Sequence, residues 1–411
     1  MLQTYKYRIY PDNKRVERIN HTMQLCKELH NQLLKKCEEA HKQDKTFKVN
    51  RKTLNNFLNE IKQENNLFDK IYSQVLQNVF DRVIKSYKNF FRRVKERKSG
   101  KKIEAGFPRE KRFYKSITYP QNNGSFKFSG DKRLYISNIG SIPIILHRRI
   151  EGKIKTLTIK RNKAWQYFAI FTSDSTRKIE RKSINKQVGI DVGLINYATL
   201  SDGIKIENPR FLAKSEWLMK IKQRKISNKK KDSNNKKKAK IIYARSALKV
   251  ANQRKDFLHK TSINIVRGYD LIAVEKLQIN DMLKNKYLSK SISDASWNSF
   301  LQMLAYKAES ANVPFIAVNS RNTTQMCSNC SSINKIKLED RTYNCTNCGL
   351  IIDRDINASR NILKKATDGL SGSNAFGDRI NTFQKGTANS VVELGTKRNE
   401  IVSIDAGSPR L

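Results

Sequence analysis

Two cysteine pairs near the carboxyl end of the chain place a strong constraint on its fold. Cys327/Cys330 and Cys345/Cys348 both have Cys-x2-Cys spacing, with fourteen residues between the pairs. In a reducing compartment this spacing favours a metal site over two disulfides. Four thiolates fill a tetrahedral zinc site and leave no position for a catalytic water. The pattern predicts one structural zinc ion in a ribbon whose linker forms a hairpin, with Gly349 supplying a positive φ.

The charge of the chain indicates a polyanionic partner. Its 411 residues contain 82 Lys and Arg against 37 Asp and Glu, which gives a formal net charge of +45. A compact protein with that surplus repels itself unless a polyanion is bound. Nucleic acid is the first candidate, because each phosphate contact releases counterions, and an anionic membrane surface is the alternative. The absence of an apolar run near the roughly 20 residues of a spanning helix predicts an intracellular protein.

The first half of the chain changes its periodicity once. Residues 3–10 alternate like a strand, and 12–98 have the apolar spacing of helices. After Gly106 short alternating runs follow, which predict a small sheet or barrel. The predicted strands are Ser116–Tyr119, Ser125–Phe128, Leu134–Ser137, Ile142–Leu146, Lys153–Lys160 and Trp165–Thr172.

Three acidic positions stand out in the second half by their local context. Asp191 follows the apolar run Val188–Ile190, and Glu275 ends the run Leu271–Val274. Asp353 and Asp355 stand at the predicted start of a helix. Taken singly, these residues also suit a turn, a strand end and a helix cap. The order strand-Asp, strand-Glu, helix-start Asp is typical of ribonuclease-H-like nucleases, in which converging carboxylates hold two Mg²⁺ ions roughly 3.5–4 Å apart.

The acids lie in longer stretches that resemble the three RuvC motifs of TnpB, a family of transposon-encoded proteins related to type V CRISPR effectors. These stretches are Gly189-Ile-Asp-Val-Gly-Leu194 with Leu200-Ser-Asp-Gly203, then Val274-Glu-Lys-Leu277, then Asp353-Arg-Asp-Ile-Asn-Ala-Ser-Arg-Asn-Ile362. Other stretches similar to the family are Ala251–Lys260, Ser291–Trp297, Gly106–Arg109, Ile117–Gln121, Ser73–Gln77 and the cysteine pairs. The resemblance covers most of residues 1–365, and the RuvC motifs are its most specific part.

The resemblance implies a multidomain α/β architecture with a helical recognition domain, a β-barrel wedge domain and a RuvC (ribonuclease-H-like) nuclease domain. The implied ranges are 1–10 and 99–185 for the wedge, 11–98 for the recognition domain, 186–326 and 350–368 for the nuclease, 327–349 for an inserted zinc ribbon that binds target nucleic acid, and 369–411 for a disordered tail.

The resemblance also implies an RNA-guided DNA endonuclease that carries a guide RNA from the transposon end and cuts double-stranded DNA beside a short adjacent motif. Asp191, Glu275 and Asp355 would be the catalytic, Mg²⁺-binding residues of a two-metal-ion hydrolysis. Chemistry alone leaves Asp353 and Asp355 open; the match to the third motif selects Asp355. We expect a cytoplasmic prokaryotic protein that need not form oligomers.

The helix around Gln77 and the loop Thr118–Gln121 resemble the segments with which the family reads its target-adjacent motif. Together with the basic run at 220–260, they provide eight candidate nucleic-acid contacts. Amide side chains read base edges, whereas Lys and Arg mainly hold phosphates. The candidates are Ser73, Gln74, Gln77, Thr118, Tyr119, Gln121, Arg254 and Lys255. For the candidates between Ser73 and Gln121, the alternative is a polar helix face that contacts only solvent. For the basic run at 220–260, which contains Arg254 and Lys255, the alternative is a helical arm exposed to solvent.

Two other functions fit the same acidic fold. A transposase or resolvase would process transposon ends without RNA, whereas a guided repressor would bind DNA and leave it uncut. Because none of the three acids is missing, the sequence favours an active nuclease.

Overall fold

The computed structural model describes residues 2–44, 46–100, 102–122, 124–174, 179, 184–337 and 339–371. Most of the predicted disordered tail, 372–411, lies outside these residues, and its first three residues, 369–371, continue a helix. The chain divides into two compact units, Met1–Arg177 with Asp232–Arg245, and Lys178–Lys231 with Ser246–Leu411. No helix of the described residues is long and apolar enough to cross a membrane.

The helices of the first unit are α1 (Asn13–Gln43), α2 (Arg51–Glu64) and α3 (Ser73–Lys98), with a 3-10 helix at Asn66–Lys70. Asp12 caps α1 by accepting from Arg15 N at 2.9 Å. Asn50 caps α2 in a reciprocal capping box with Thr53. These caps satisfy backbone N–H groups that the first turn leaves unpaired, so each helix begins where its cap lies.

The sheet of the first unit has seven antiparallel strands in the order β2-β6-β7-β1-β5-β4-β3. Its strands are β1 (Leu2–Ile9), β2 (Ser116–Tyr119), β3 (Phe126–Ser129), β4 (Arg133–Ile136), β5 (Gly140–Ile145), β6 (Lys153–Arg161) and β7 (Tyr167–Asp174). The alternating runs thus form the small sheet that they predict, with β2 and β3 at its two hydrogen-bonding edges among the described strands, and the barrel implied by the resemblance stays a prediction.

Helices and sheet of this unit share one hydrophobic core. Tyr7 and Phe171 of the sheet belong to the same buried cluster as Leu29 of α1 and Val79 of α3. The ranges predicted as separate recognition and wedge domains thus pack as a single body.

The second unit is built on a five-stranded sheet in the order β10-β9-β8-β11-β12. Its strands are β8 (Gln187–Val192), β9 (Asn196–Leu200), β10 (Lys205–Glu207), β11 (Leu271–Glu275) and β12 (Phe315–Val318). β8, β11 and β12 run parallel, β9 is antiparallel to β8, and β10 is antiparallel to β9. Gly203 has a φ of +94° in the Ser-Asp-Gly turn between β9 and β10.

Helices cover both faces of this sheet. Ile272 and Val274 of β11 pack on one face with Leu258 and Phe300, whereas Leu271 and Ala273 pack on the other with Ile362 and Ala366. This alternation is the two-residue period of a strand buried on both sides. The helices are α4 (Phe211–Ser227), α5 (Asn234–Gly268), α6 (Ile279–Met282), α7 (Ser289–Ala295), α8 (Trp297–Ser310) and α9 (Arg354–Ser371).

Two local predictions need correction. The lysine-rich run Lys229–Lys240 lacks apolar periodicity, which predicts an exposed turn or mobile joint between helices, but the run is non-helical only as far as Ser233, because α5 begins at Asn234. In the cysteine module β13 (Thr342–Asn344) and β14 (Ile351–Asp353) form the hairpin, so it encloses the second cysteine pair instead of the linker.

Candidate active site and metal centre

Asp191 and Glu275 lie side by side on neighbouring parallel strands. Val274 of β11 is the register partner of Ile190 of β8, so the next step along both strands is Glu275 and Asp191. Carboxyl ends of parallel strands share one edge of the sheet, which is where α/β folds place ligands. The strand order of the second unit therefore brings the first two predicted acids together.

Helix α9 brings the third acid to the same place by packing closely on β8. A Cβ added at Gly189 would lie 2.0 Å from the backbone oxygen of Ser359 and 2.7 Å from the backbone nitrogen of Leu363. Only a residue without a side chain allows this approach. Gly189, two residues before Asp191, therefore allows the backbone of α9 to pack directly on β8 at this point.

Asp353 and Asp355 have different partners. Oδ1 of Asp353 accepts from the backbone N–H groups of Asp355 at 2.9 Å and Ile356 at 3.1 Å, and Oδ2 accepts from Lys205 Nζ at 2.6 Å. These are the contacts of a helix cap. Asp355 lies in the first turn of α9, with its carboxylate 3.6 Å from Arg354 Nε.

The charges of Glu275 and Asp355 both act on Asp191. Burial raises the pKa of Asp191 well above its usual range, and the negative charges of Glu275 and Asp355 raise it further. The Arg354 guanidinium opposes this pKa shift. Burial also raises the pKa of Glu275, against a hydrogen bond from Thr323 and the charge of Lys365. Such a buried excess of negative charge suits an oxygen-ligated cation.

The four cysteines form a compact ligand cluster. Within the described ranges they are the one group of at least three His, Cys, Asp or Glu side chains whose ligand atoms all lie within 4.8 Å of one another. The Sγ atoms of Cys327 and Cys348 are 3.6 Å apart, as are those of Cys330 and Cys345. A zinc tetrahedron with bonds of about 2.3 Å has sulfur–sulfur edges of about 3.8 Å. The cluster thus fits zinc, and Gly349 has the predicted positive φ, +68°.

Sequence reasoning missed the groups that surround these sulfurs. Asn329 Nδ2 donates to Cys348 Sγ at 3.6 Å and Asn347 Nδ2 to Cys330 Sγ at 3.5 Å, so each knuckle contacts the other. Ser332 Oγ lies 3.1 Å from Cys330 Sγ and 3.3 Å from Cys345 Sγ, and these contacts are the largest cause that lowers the pKa of Cys345 to about 5 and that of Cys330 to about 7. In the sequence, an Asn precedes the second cysteine of each pair, and this repeat could have predicted that the Asn of each knuckle contacts a cysteine of the other.

The predicted contacts in the first unit are divided between surface and interior. Ser73, Gln77 and Gln121 are exposed, and Gln74 is half-buried. The half-buried Thr118 receives a bond from Arg82 Nη2 at 3.3 Å and lies 3.0 Å from Thr158 Oγ1. Tyr119 is only 1% exposed, and its hydroxyl donates to Ser137 O at 3.2 Å, so a role in nucleic-acid contact is corrected to one in the core.

Arg254 and Lys255 also differ in their surroundings. The Arg254 guanidinium donates to the Asp294 carboxylate, whose other oxygen accepts from Leu212 N at 3.1 Å. Arg254 thus joins α5 to α7, and its predicted role as a phosphate contact stays a prediction. Lys255 is exposed and remains available to solvent.

Three family models match the chain. Residues 171–286 match a family described as "Probable transposase", and this range contains Asp191 and Glu275. Residues 297–362 match the TNB domain of Cas12f1-like proteins and contain the four cysteines and Asp355. Residues 1–46 match a helix-turn-helix family, although the structure has there one strand and one long helix.

Sequence relatives carry related names. A Streptomyces pristinaespiralis protein named "Putative RNA-guided DNA endonuclease" is 33% identical over 62% of this chain and 62% of its own length. The Escherichia coli K12 protein "Putative RNA-guided DNA endonuclease InsQ" is 27% identical over 88% of this chain and 92% of its own. A Cas12f1 endodeoxyribonuclease of Sulfoacidibacillus thermotolerans is 24% identical over 49% of this chain and 50% of its own.

Solved structures share the fold. Cas12f1, solved with single-guide RNA and target DNA, aligns with a TM-score of 0.54 at 13% identity over 88% of this chain and 98% of its own. A mini-RNA-guided CRISPR endonuclease, Cas phi3, aligns with a TM-score of 0.50 at 10% identity over 89% and 92%. The family resemblance predicted from the three motifs is confirmed.

Proposed function

We propose that this chain, a member of the TnpB family, is an RNA-guided DNA endonuclease that hydrolyses target DNA at Asp191, Glu275 and Asp355. The observation that carries the proposal is the convergence of the three acids: Asp191 and Glu275 follow paired residues of the parallel strands β8 and β11, and α9, which packs on β8 at Gly189, has Asp355 in its first turn. The names of the relatives support guided cleavage of DNA.

The three carboxylates would hold Mg²⁺ through their oxygens. Three converging carboxylates would hold two such ions roughly 3.5–4 Å apart. When bound, such ions activate a water and stabilise the leaving 3′ oxygen. Glu275 and Asp355 would orient the site from the strand edge and the helix start, and Arg354 would balance part of its charge.

The surplus of positive charge would bind the guide RNA and the DNA. Exposed Ser73, Gln77 and Gln121, with half-buried Gln74 and Thr118, remain candidates for reading the adjacent motif, and exposed Lys255 for holding phosphate. The cysteine cluster would bind one structural zinc ion and give a small segment the stability that its own core cannot provide.

Co-purification and cleavage test the proposal together. RNA bound to the purified protein is sequenced, and DNA matching that RNA is incubated with the complex and Mg²⁺. We expect cleavage that Asp191→Ala abolishes and that Asp281→Ala leaves unchanged, since Asp281 is an exposed acid paired with Lys284. Absence of bound RNA, or cleavage unaffected by Asp191→Ala, would falsify the proposal. Processing of transposon ends without RNA would favour a transposase, and guided binding without cutting a repressor.

A further inference from the structure

A short segment between β12 and the first cysteine knuckle touches the catalytic edge. Thr323 is 2% exposed, and its hydroxyl donates to the Glu275 carboxylate. The same Oγ1 lies 3.0 Å from Ser320 O. Both partners can only accept, and the hydroxyl has one hydrogen, so with Glu275 ionised the stronger, charge-assisted bond to its carboxylate is favoured. Thr323 is thus a buried partner of one predicted metal ligand.

The backbone of this segment is fastened to α9 by two asparagines one helical turn apart. Asn361 Nδ2 donates to Thr323 O at 2.9 Å and to Met326 O at 2.6 Å. Asn357 Nδ2 donates to Met326 O at 2.7 Å, and its Oδ1 accepts from Ser328 N at 2.8 Å. Both asparagine side chains are fully buried. Because α9 carries Asp355 in its first turn, the segment joins the helix of one acid to the side chain of another.

We infer that Thr323 is a positioning residue for Glu275, and that Asn361 fixes Thr323 so that Glu275 and Asp355 are held at the spacing the metal ions require. The inference rests on the proposed function of the three acids and adds two residues to it. Cys327 follows Met326 directly, so the cysteine cluster anchors the far end of the same segment.

Loss of this contact would act on metal binding more than on folding. Partners that orient a metal ligand typically contribute 10–100-fold to metal affinity or activity. Without the Thr323 hydroxyl, the Glu275 carboxylate would lose its fixed orientation while β11 and its register with β8 stay in place. We therefore expect a higher Mg²⁺ requirement in a protein with normal zinc content.

The test compares variants at two adjacent threonines. Thr323→Val removes the hydroxyl at nearly constant volume, Thr323→Ser retains it, and exposed Thr324→Val is the matched control. We expect Thr323→Val to raise the Mg²⁺ concentration for half-maximal guided cleavage about 10–100-fold. Thr323→Ser should stay within about threefold of the unchanged protein, Thr324→Val should match it, and all should bind about one zinc per chain. If Thr323→Val does not fold, Thr323→Ala is used instead, because it removes the hydroxyl without putting a methyl group in its place.

A second readout does not depend on cleavage. Magnesium chloride alone should raise the unfolding midpoint of the unchanged protein, and the Mg²⁺ concentration needed should increase in Thr323→Val and in Asn361→Leu. If guided cleavage fails in the unchanged protein, the proposed function fails while this measurement still reports on Thr323. An unchanged Mg²⁺ requirement in Thr323→Val, or equal losses in Thr323→Val and Thr323→Ser, would overturn the inference.

Discussion

Two acids two residues apart have separate roles at the start of α9. The Asp353 carboxylate accepts hydrogen bonds from two backbone N–H groups and pairs with Lys205. The negative charge of Asp355 instead raises the pKa of Asp191. We predict that Asp355→Ala lowers the cleavage rate about 100-fold or more, because a metal contributes several kcal/mol at about 1.4 kcal/mol per factor of ten. Asp353→Ala should instead cost about 1 kcal/mol of stability, the usual contribution of a cap. Rates at saturating DNA and denaturant unfolding measure the two effects.

The pH dependence of stability gives a control for this assignment. Burial raises the pKa of Asp353, but the bonds from Lys205 and Ile356 outweigh it, so the net pKa lies below the usual value. A lowered pKa stabilises the fold above the unfolded value of about 3.9, and this stabilisation is lost as pH falls through the folded pKa. The difference between Asp353→Ala and the unchanged protein should therefore diminish in acid. A larger loss of cleavage from Asp353→Ala than from Asp355→Ala would contradict the assignment.

Gly189 is predicted to tolerate no side chain. In Gly189→Ala the new methyl group would meet backbone atoms of α9, which cannot rotate away as a flexible side chain can. We expect a loss of about 1–3 kcal/mol in unfolding free energy, with a fall in cleavage because α9 carries Asp355. Gly268→Ala is the control, since a Cβ there meets nothing within 4 Å. Equal stability of the two variants would show that α9 does not press on β8.

Asp191 should make the metal-free protein less stable. Its raised pKa means that the stabilising, protonated form is lost as pH rises through that pKa. We predict that Asp191→Asn raises the unfolding midpoint at neutral pH in a chelator of Mg²⁺, and that added Mg²⁺ reduces or reverses the difference. Thermal melts with and without Mg²⁺ measure this. A lower midpoint for Asp191→Asn without metal would count against a buried charge at this position.

At the scale of elements, alternation and periodicity were sufficient for the sheet strands. The prediction of Ser116–Tyr119 matches β2, and that of Lys153–Lys160 matches β6 to within one residue. The start of α5 was missed because its first lysines lack apolar periodicity, yet lysine is a good helix former. The contacts of Asn357 and Asn361 could not be predicted, because their partners lie more than 25 residues away in sequence.

Zinc should stabilise the part of the second unit that holds the first cysteine pair against α9. We predict that removal of zinc lowers guided cleavage even with Mg²⁺ in excess, because Met326 and Ser328, which flank Cys327, are bonded to Asn357. Zinc added back should restore cleavage, and Mg²⁺ alone should not. Metal analysis and cleavage of the same sample test this, and full activity in zinc-free protein would show that the cluster is not needed for cleavage.

The whole chain should bind nucleic acid with a strong dependence on salt. Its net charge of +45 favours phosphate contacts. Affinity falls as salt rises, and each neutralised phosphate makes the slope of log affinity against log salt concentration steeper by about 0.9. Such contacts are shared by all sequences, so they provide affinity and rate of encounter without choice of target. Sequence choice beside the guide has to come from side chains that reach base edges.

Substitution of two exposed residues, Lys255 and Gln77, should separate phosphate binding from reading of the adjacent motif. Lys255→Ala should reduce the salt slope by about 1 and weaken binding equally for all adjacent motifs. Gln77→Ala should leave the slope unchanged and reduce discrimination between adjacent motifs by about 1–3 kcal/mol, the contribution of a well-placed base contact. Binding of the guided complex to DNAs that differ only in the adjacent motif, measured at several salt concentrations, tests both. A salt slope altered by Gln77→Ala, or motif choice altered by Lys255→Ala, would reverse the two assignments.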